Sequence, residues 1–247
     1  MLIHKNGMVS IGPHILVNGD ARDHELIRRL VGDKRISLVA CDVPYGIGVV
    51  ESKVGFVKIK KNKVIANDQL QSEEMYRKFT KDWIEAVKPF LARKNSFYIF
   101  NSDKMIFALR EGMKDADVKF AQLLIWIKNQ AVMGRLDYLP QHELIAYGWH
   151  GTHQFVKSQD KNLIFYPRPS KSPFHSTTKP VGLIRRLILN SSKIGDYVYD
   201  GFIGSGTTGL ACQQTLRKCL MVDLDLEYCQ TTIDRFEKNF GIKAKKL

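Results

Sequence analysis

Four consecutive residues near the start of the chain combine an acid, a proline and an aromatic ring: Asp42, Val43, Pro44 and Tyr45. They follow an apolar run at residues 36–41, which is typical of a short buried strand. In open parallel α/β sheets, ligands bind in the crevice beyond the carboxyl ends of the strands. An acid beside a flat ring at such a strand end indicates a planar substrate.

A glycine-rich turn at residues 200–208 is the second stretch that suggests chemistry. It lies between a predicted strand at 197–199 and a predicted helix from about 207 to 216, where glycines allow tight turning and close approach to a ligand. Asp223 ends the next predicted strand, 17 residues beyond Gly206, and an acid there can accept hydrogen bonds from both hydroxyls of a ribose. Asp200, in front of the turn, can bind an ammonium group, as the amino-acid end of S-adenosylmethionine requires.

Alternating strands and helices must position these two stretches. Strands are predicted at 15–17, 36–41, 96–100, 121–127, 197–199 and 219–222, and an antiparallel return strand at 142–147 is predicted to close the sheet edge. The helix that begins after Ser72 should bury a stripe of Met75, Phe79, Trp83 and Val87. The pattern predicts an α/β fold in a single domain, residues 1–247.

Composition limits the class of protein. The 247 residues are 44% hydrophobic and contain no run of eighteen apolar residues, so no membrane partner is expected. The N-terminus lacks the pattern of a secretory signal, which favours the cytoplasm. Four cysteines without Cys-x-x-Cys spacing or a nearby His pair predict neither a disulfide framework nor a metal site. A formal charge of +13 favours a polyanionic partner, and nucleic acid is the preferred one.

Two segments show no sustained period. Residues 49–68 are predicted to be a basic, mobile loop, and residues 149–174 a short surface excursion that takes part in target recognition. Because the second segment is short, recognition is expected to use few bases, the basic loop, or a second subunit in a homodimer. The candidate nucleic-acid-binding residues are Lys53, Lys58, Lys60, Lys61, Lys63, Arg135, Arg168 and Lys171.

The motifs, in their order, resemble those of the DNA amino-methyltransferases of the permuted beta class. In that family a D-P-P-Y motif precedes an H-P-T-x-K-P stretch and a D-P-F-x-G-S-G-T-T motif. Residues 42–45, 175–180 and 200–208 correspond to these motifs in order and spacing, and the resemblance covers nearly the whole chain. The sequence departs from the family at Val43, in place of the first proline of D-P-P-Y, and at Gly201, in place of the proline of D-P-F.

The resemblance implies a Rossmann-like methyltransferase fold that is circularly permuted. Its mostly parallel, twisted sheet would have seven strands, with helices on both faces and an antiparallel edge strand. Gly19-Asp20 matches the family's pair that approaches the cofactor adenine, and Trp126-x-Lys128 with His142-Glu143 follows its middle motifs. The implied cofactor is S-adenosyl-L-methionine, and the implied cofactor-binding residues are Asp20, Asp42, His175, Thr178, Lys179, Asp200, Phe202, Gly204, Ser205, Gly206, Thr207, Thr208 and Asp223.

The resemblance further implies a site-specific DNA methyltransferase that acts on the exocyclic N6 amine of adenine in double-stranded DNA. The Asp42 carboxylate and the backbone carbonyl of Val43 would accept the two N–H bonds of the amine while the flipped base stacks on Tyr45. The implied catalytic residues are Asp42, Val43, Pro44 and Tyr45.

Other functions remain open from the sequence, including an RNA amino-methyltransferase, which is less favoured. A cytosine-N4 DNA methyltransferase uses the same clamp on an exocyclic amine, although that subgroup usually has Ser where Asp42 stands. A degenerate, non-catalytic nucleic-acid-binding protein is the alternative of another class, suggested by Val43, Gly201 and the high charge. The presence of Asp42, Tyr45, Asp200 and Asp223 argues against the second alternative.

Overall fold

The computed structural model describes residues 2–46, 72–131, 136–157, 159–168 and 178–247. Within them the chain alternates between strands and helices, as the sequence predicts. The strands are β1 (Met8–Ile11), β2 (His14–Asn18), β3 (Ile36–Asp42), β4 (Leu91–Asn101), β5 (Lys119–Ile127), β6 (His142–Trp149), β7 (Thr152–His153), β8 (Leu163–Phe165), β9 (Tyr197–Asp200), β10 (Lys218–Asp223) and β11 (Ala244–Lys246). The helices are α1 (His24–Val31), α2 (Glu73–Val87), α3 (Ile106–Asp115), α4 (Val181–Ser191), α5 (Thr207–Gln214) and α6 (Leu226–Phe240).

One sheet contains the strands in the order β11-β1-β2-β10-β9-β3-β4-β6-β5-β8, and β7 pairs with the start of β4. The central strands β2, β10, β9, β3 and β4 are parallel to one another. β6 is antiparallel to both of its neighbours, β4 and β5, so β5 again runs in the direction of β4. The carboxyl ends of β3, β9 and β10, where the predicted site residues lie, therefore meet at one edge of the sheet.

The predicted seven-stranded sheet forms the centre of this larger one. The strand predicted at 142–147 is antiparallel, as expected, but the prediction that it closes the edge is wrong, because β6 lies between β4 and β5. β8 extends the sheet beyond β5, and an antiparallel edge is formed instead by β1 and β11. These additional strands are only three or four residues long, which leaves little periodicity to detect in the sequence.

Helices cover both faces of the sheet, because alternate residues along each central strand point to opposite sides. Val39 and Cys41 of β3 pack in the core beneath α1, α2 and α3, and Leu38 and Ala40 pack in the core beneath α4, α5 and α6. The buried stripe of α2 differs by one position from the prediction, since Met75 is 60% exposed whereas its neighbour Tyr76 is fully buried. Phe79, Trp83 and Val87 are buried as expected. In the described parts of the chain, no helix combines the length and hydropathy needed to span a membrane.

The excursion predicted at 149–174 contains more regular structure than expected. Its first part runs past the amino-terminal half of β4. There β7 pairs with β4, and the Gln154 carbonyl accepts a hydrogen bond from the Ser96 hydroxyl. β8 then returns alongside β5 and brings Tyr166 and Arg168 to the carboxyl edge of the sheet, since their N–H groups donate to Ile127 and Asn129. Only the last described part of the excursion thus lies at the edge that carries the site.

Candidate active site

Two acids lie at neighbouring strand ends on the carboxyl edge. Asp42 ends β3 and Asp200 ends β9, and these two strands are paired. The backbone N–H of Gly201 donates to the Cys41 sulfur at 3.4 Å, and this contact links the two strand ends next to the acids. The structure therefore brings the two motifs into one cleft although 158 positions separate them in the sequence.

The turn that carries Tyr45 is anchored from α2 and β4. The buried Tyr76 hydroxyl donates to the Pro44 carbonyl at 3.0 Å and accepts from the Asn101 amide at 2.8 Å. Val43 is 2% exposed and packs in the core beneath α2, a position that an apolar side chain fills in place of the family's proline. These contacts hold the turn in place while the Asp42 side chain remains one-third exposed to the cleft.

A nearly closed network of charged side chains surrounds Asp42. The Lys179 ammonium lies 2.8 and 2.7 Å from the two Asp42 carboxylate oxygens and 3.0 Å from Glu143 Oε2. The other Glu143 oxygen lies 2.8 Å from the Lys128 ammonium. The Tyr45 hydroxyl is 3.1 Å from Asp42 Oδ1 and 2.9 Å from Glu143 Oε2, so its single hydrogen lies between two carboxylates. Two acids and two ammonium groups balance each other in charge.

The pKa shifts in the network follow from burial and these charges. Burial raises the pKa of Glu143, but the charges of Lys179 and Lys128 and their hydrogen bonds outweigh it and lower the pKa to about 2. Burial lowers the pKa of Lys179, but Asp42 and Glu143 raise it above its ordinary value. Burial and the same two carboxylates raise the pKa of Tyr45 well above its ordinary value. At neutral pH, Glu143 and Lys179 are ionised and Tyr45 is a neutral hydrogen-bond donor.

Asp200 has a different environment, because its described partners are neutral. It accepts from the Phe202 N–H at 3.0 Å and from the Thr208 hydroxyl. Burial raises the pKa of Asp200, these two hydrogen bonds lower it, and the negative charges of Asp42 and Asp223 raise it; together they bring it to about 7. A buried carboxylate between other acids is a site that favours a cation.

The glycine turn after Asp200 approaches β10 and α6 closely. Gly204 and Gly206 have positive φ angles of 52° and 87°, and a Cβ at Gly206 would lie 2.9 Å from the Thr232 hydroxyl. The Gly204 N–H donates to Asp223 Oδ2 at 2.7 Å. The turn therefore needs glycine at these positions, and it places Asp223 beside the backbone of the turn.

The remaining predicted cofactor residues that the structure describes lie around this cleft, with one exception. Thr178 Oγ1 is 3.5 Å from Ser205 Oγ, and Ser205 accepts from the buried guanidinium of Arg235. Thr207 opens α5 beside Thr208, and the Phe202 ring packs against Phe79 and Trp83 beneath the turn. Asp20 forms an ion pair with Arg22 at 2.6 Å, and the N–H of Gly19 donates to the Asp223 carbonyl. The exception is Lys179, which binds the carboxylates of Asp42 and Glu143 and lies over the rings of Tyr45 and Phe100.

Gly201, the second departure from the family motif, has a local cause. A Cβ there would lie 2.9 Å from the Tyr199 hydroxyl and 3.2 Å from the Ala21 Cβ. A proline would also lack the N–H that binds the Cys41 sulfur. The large Tyr199 side chain thus occupies space next to residue 201, and glycine fits there.

Several predicted residues lie outside the described residues: His175 of the cofactor set, the basic loop 49–68 with its five lysines, and Arg135 and Lys171 of the nucleic-acid set. Arg168 is the member of the nucleic-acid set that is described, and it is exposed at the carboxyl edge.

A family model described as DNA methylase (N6_N4_Mtase) matches residues 36–234, a span that includes both strand ends and the network. The chain belongs to this DNA methylase family. It is therefore an S-adenosylmethionine-dependent DNA methyltransferase.

Two curated relatives of the methylase match over most of its length. It is 24% identical over 235 residues to the type II methyltransferase M.HpaI of Haemophilus parainfluenzae, covering 85% of this chain and 70% of that one. It is also 24% identical over 233 residues to M2.DpnII of Streptococcus pneumoniae, covering 82% of each.

Solved structures share the fold of the methylase. The crystal structure of the M1.HpyAVI–SAM complex aligns with a TM-score of 0.65 at 21% identity, covering 89% of this chain and 98% of that one. The PvuII DNA methyltransferase, described as cytosine-N4-specific, aligns with a TM-score of 0.72 at 16% identity, covering 96% and 91%. These likenesses confirm the Rossmann-like methyltransferase fold expected from the motifs.

The cleft of the methylase fits the cofactor of its family. S-Adenosylmethionine carries an ammonium group and a ribose with two hydroxyls, and the cleft offers a buried carboxylate without a cationic partner among the described residues, at Asp200, and an acid at the end of β10, Asp223. Between them, Gly204 and Gly206 supply the positive φ angles that the turn requires.

Sequence reasoning missed some residues that build the site. Tyr76 holds the Pro44 carbonyl, and Arg235 holds Ser205, each through a contact between distant parts of the chain. Arg22 holds Asp20, two residues before it. Lys128 and Glu143 were noticed only as members of motifs, and their contacts with Lys179 require the strand order of the sheet. The i+2 spacing of Asp20 and Arg22 is the signal that was available for one of these pairs.

Proposed function

We propose that the methylase transfers a methyl group from S-adenosylmethionine to the N6 amine of an adenine in double-stranded DNA, at a specific sequence. The observation that carries this proposal is the position of Asp42. An ionisable acceptor with a partly exposed side chain lies beside an aromatic ring, at a strand end adjacent to the cleft that suits the cofactor.

In this proposal the chain acts on the amine by hydrogen bonding. The exocyclic amine of adenine is a poor nucleophile because its lone pair is delocalised into the ring. The Asp42 carboxylate and the Val43 carbonyl accept its two N–H bonds, which shifts the nitrogen toward a tetrahedral geometry and localises the lone pair. After transfer, the surplus proton leaves the amine through its hydrogen bond to a carboxylate oxygen of Asp42. Pro44 keeps Val43 extended, and the base stacks on Tyr45.

The cofactor-binding half of the cleft positions S-adenosylmethionine. When bound there, S-adenosylmethionine provides a methyl group that is electrophilic because it is attached to a sulfonium. Asp200 binds the ammonium group, Asp223 accepts from the ribose hydroxyls, and Asp20 lies toward the adenine. The turn residues from Phe202 to Thr208, together with Thr178, enclose the amino-acid end. Holding both reactants in one geometry is the main source of acceleration, because no covalent intermediate is needed.

The DNA half of the proposal follows from charge and access. The amine is buried in a duplex, so the base must rotate out at a cost of about a few kcal/mol, offset by stacking on Tyr45 and by the clamp. The +13 charge supports attraction to the backbone. We assign backbone contacts to Arg168 at the carboxyl edge and to the lysines of the basic loop. We also propose a cytoplasmic enzyme, with a homodimer as the arrangement that would extend its short recognition segment.

Cytosine-N4 transfer is the second candidate. The clamp suits either exocyclic amine, and the PvuII enzyme, whose name states that specificity, shares the fold. Asp42 favours adenine, since N4 enzymes usually carry Ser at that position. Because the relatives M.HpaI and M2.DpnII are named type II methyltransferases, we propose a role in a restriction–modification system.

Product analysis tests the proposal. The purified protein is incubated with isotopically labelled S-adenosylmethionine and unmethylated DNA of mixed sequence, and the DNA is digested to nucleosides for mass spectrometry. Labelled N6-methyladenine is the expected product, and labelled N4-methylcytosine would establish the second candidate. Tight DNA binding without any methylated nucleoside would contradict both.

A further inference from the structure

The charge network around Asp42 contains an ion pair, Lys128 with Glu143, to which the proposed reaction gives no task. Neither is the group that meets the amine, yet their ion pair is 2.8 Å long and both side chains are largely buried, at 6% and 18% exposure. Burying an ion pair costs desolvation energy, and similar apolar side chains often serve stability as well or better. A buried pair next to an active site therefore calls for a functional reason.

The contacts of Glu143 supply that reason. Its Oε2 is shared by the Lys179 ammonium at 3.0 Å and the Tyr45 hydroxyl at 2.9 Å, and those two groups are the partners of Asp42. Glu143 thus holds, at a single oxygen atom, both groups that orient the proposed amine acceptor. Lys128 binds the other oxygen and fixes the carboxylate from the opposite side.

We propose that Glu143, held by Lys128, is a positioning residue that keeps the Lys179 ammonium on Asp42 and the Tyr45 ring beside it, ready for the target amine. The inference rests on the proposed function, because it assigns the task of Asp42 and Tyr45 as described above. Glu143 acts through these residues and does not touch the base. This gives the family's middle motifs in this chain, Trp126-x-Lys128 and His142-Glu143, a shared role at the ends of the neighbouring strands β5 and β6.

The environment of Lys179 makes the inference testable by pH. Its ammonium faces the carboxylates of Asp42 on β3 and Glu143 on β6, the hydroxyl-bearing Tyr45, and the face of Phe100 on β4 at 5.4 Å. Lys128 is the other nearby cation, and it reaches Lys179 through Glu143. Burial alone would lower the pKa of Lys179, so loss of either carboxylate should let Lys179 lose its proton at lower pH.

The experiment compares Glu143→Gln with Lys128→Met under saturating cofactor and DNA. Glu143→Gln should lower kcat about 10- to 100-fold, by analogy with the loss of an outer partner that orients a metal ligand. Its kcat should also fall on the alkaline side at a pH about 1 to 3 units below that of the wild type, the shift expected for loss of one close opposite charge. Lys128→Met is the matched control, because it removes a charge from the same pair but leaves both carboxylates on Lys179. The pH at which kcat of Lys128→Met falls on the alkaline side should not decrease.

The outcomes separate the inference from the proposed function. Wild-type protein that makes no methylated adenine would overturn the proposed function before any variant is made. If the wild type is active and kcat of Glu143→Gln falls at the same alkaline pH as that of the wild type, only the inference is overturned. An equal decrease of this pH in Lys128→Met would also overturn the inference, because it would indicate general loosening of the core. If Glu143→Gln fails to fold, the double variant with Lys128→Met restores charge balance, and the same downward shift is expected from it; no shift there would overturn the inference.

Discussion

Cofactor affinity should depend on pH through Asp200. Its folded-state pKa of about 7 means that the carboxyl is largely protonated below pH 6. The cofactor ammonium binds the ionised form, so binding below the pKa must release a proton. With that pKa, the ionised fraction falls from about one half at pH 7 to about 1% at pH 5. This is a loss of about 50-fold in affinity, or about 2.3 kcal/mol at about 1.4 kcal/mol per unit.

Isothermal titration calorimetry of S-adenosylmethionine binding, from pH 5 to 7, measures this dependence. Repeating each titration in two buffers of different ionisation enthalpy should show about one proton released per cofactor at pH 5 to 6. Asp200→Asn should bind weakly at every pH and lose this slope and this proton release. The variant differs from the wild type only at residue 200, so the difference between the two proteins isolates Asp200. A wild-type affinity that varies by less than threefold across the range, or the same slope in Asp200→Asn, would refute the reasoning.

Two further predictions concern the glycine turn and the basic loop. Gly201→Ala should destabilise the fold by about 1–3 kcal/mol, because its Cβ would crowd the Tyr199 hydroxyl. Tyr199→Phe in the same chain should restore part of the loss in urea unfolding; no restoration would mean that Tyr199 is not the obstacle. If three lysines of the loop each bind a phosphate, replacing them with Glu should reduce the slope of log affinity against log salt by about 2.7 units in fluorescence anisotropy. An unchanged slope would exclude the loop from DNA binding. The lysines are Lys58, Lys60 and Lys61.

The strand ends that carry the acids were predictable from the sequence, because each combines two local signals, a short apolar run and an acid. Asp42, Asp200 and Asp223 each directly follow a short apolar run, and the rule that ligands bind beyond the carboxyl ends of parallel strands brings them together. The glycine turn was predictable for a similar reason, since Gly201, Gly204 and Gly206 lie close together in sequence, between a strand and a helix.

The charge network could not be predicted, because its geometry depends on the strand order. Glu143 reaches Lys179 and Tyr45 only because β6 lies between β4 and β5, whereas a strand at the sheet edge would have placed it elsewhere. Hydrophobic periodicity shows that β6 is a strand but does not show which strands flank it. The prediction placed Met75 in the buried stripe of α2, where the structure has Tyr76, and this error has a related cause. Tyr76 is polar at one end, and its burial depends on partners at Pro44 and Asn101 that come from other elements.

The central claim is that Asp42 activates the target amine, and the single-turnover rate of methyl transfer tests it most directly. Wild type and Asp42→Asn are compared with saturating cofactor and a DNA duplex that the wild type methylates, so that weaker binding does not enter the rate. The variant keeps the size of the side chain but loses the negative charge that accepts the amine N–H. Its rate should fall by about 100- to 10,000-fold, the range for loss of a positioned acid–base group. A rate within tenfold of the wild type would contradict the account.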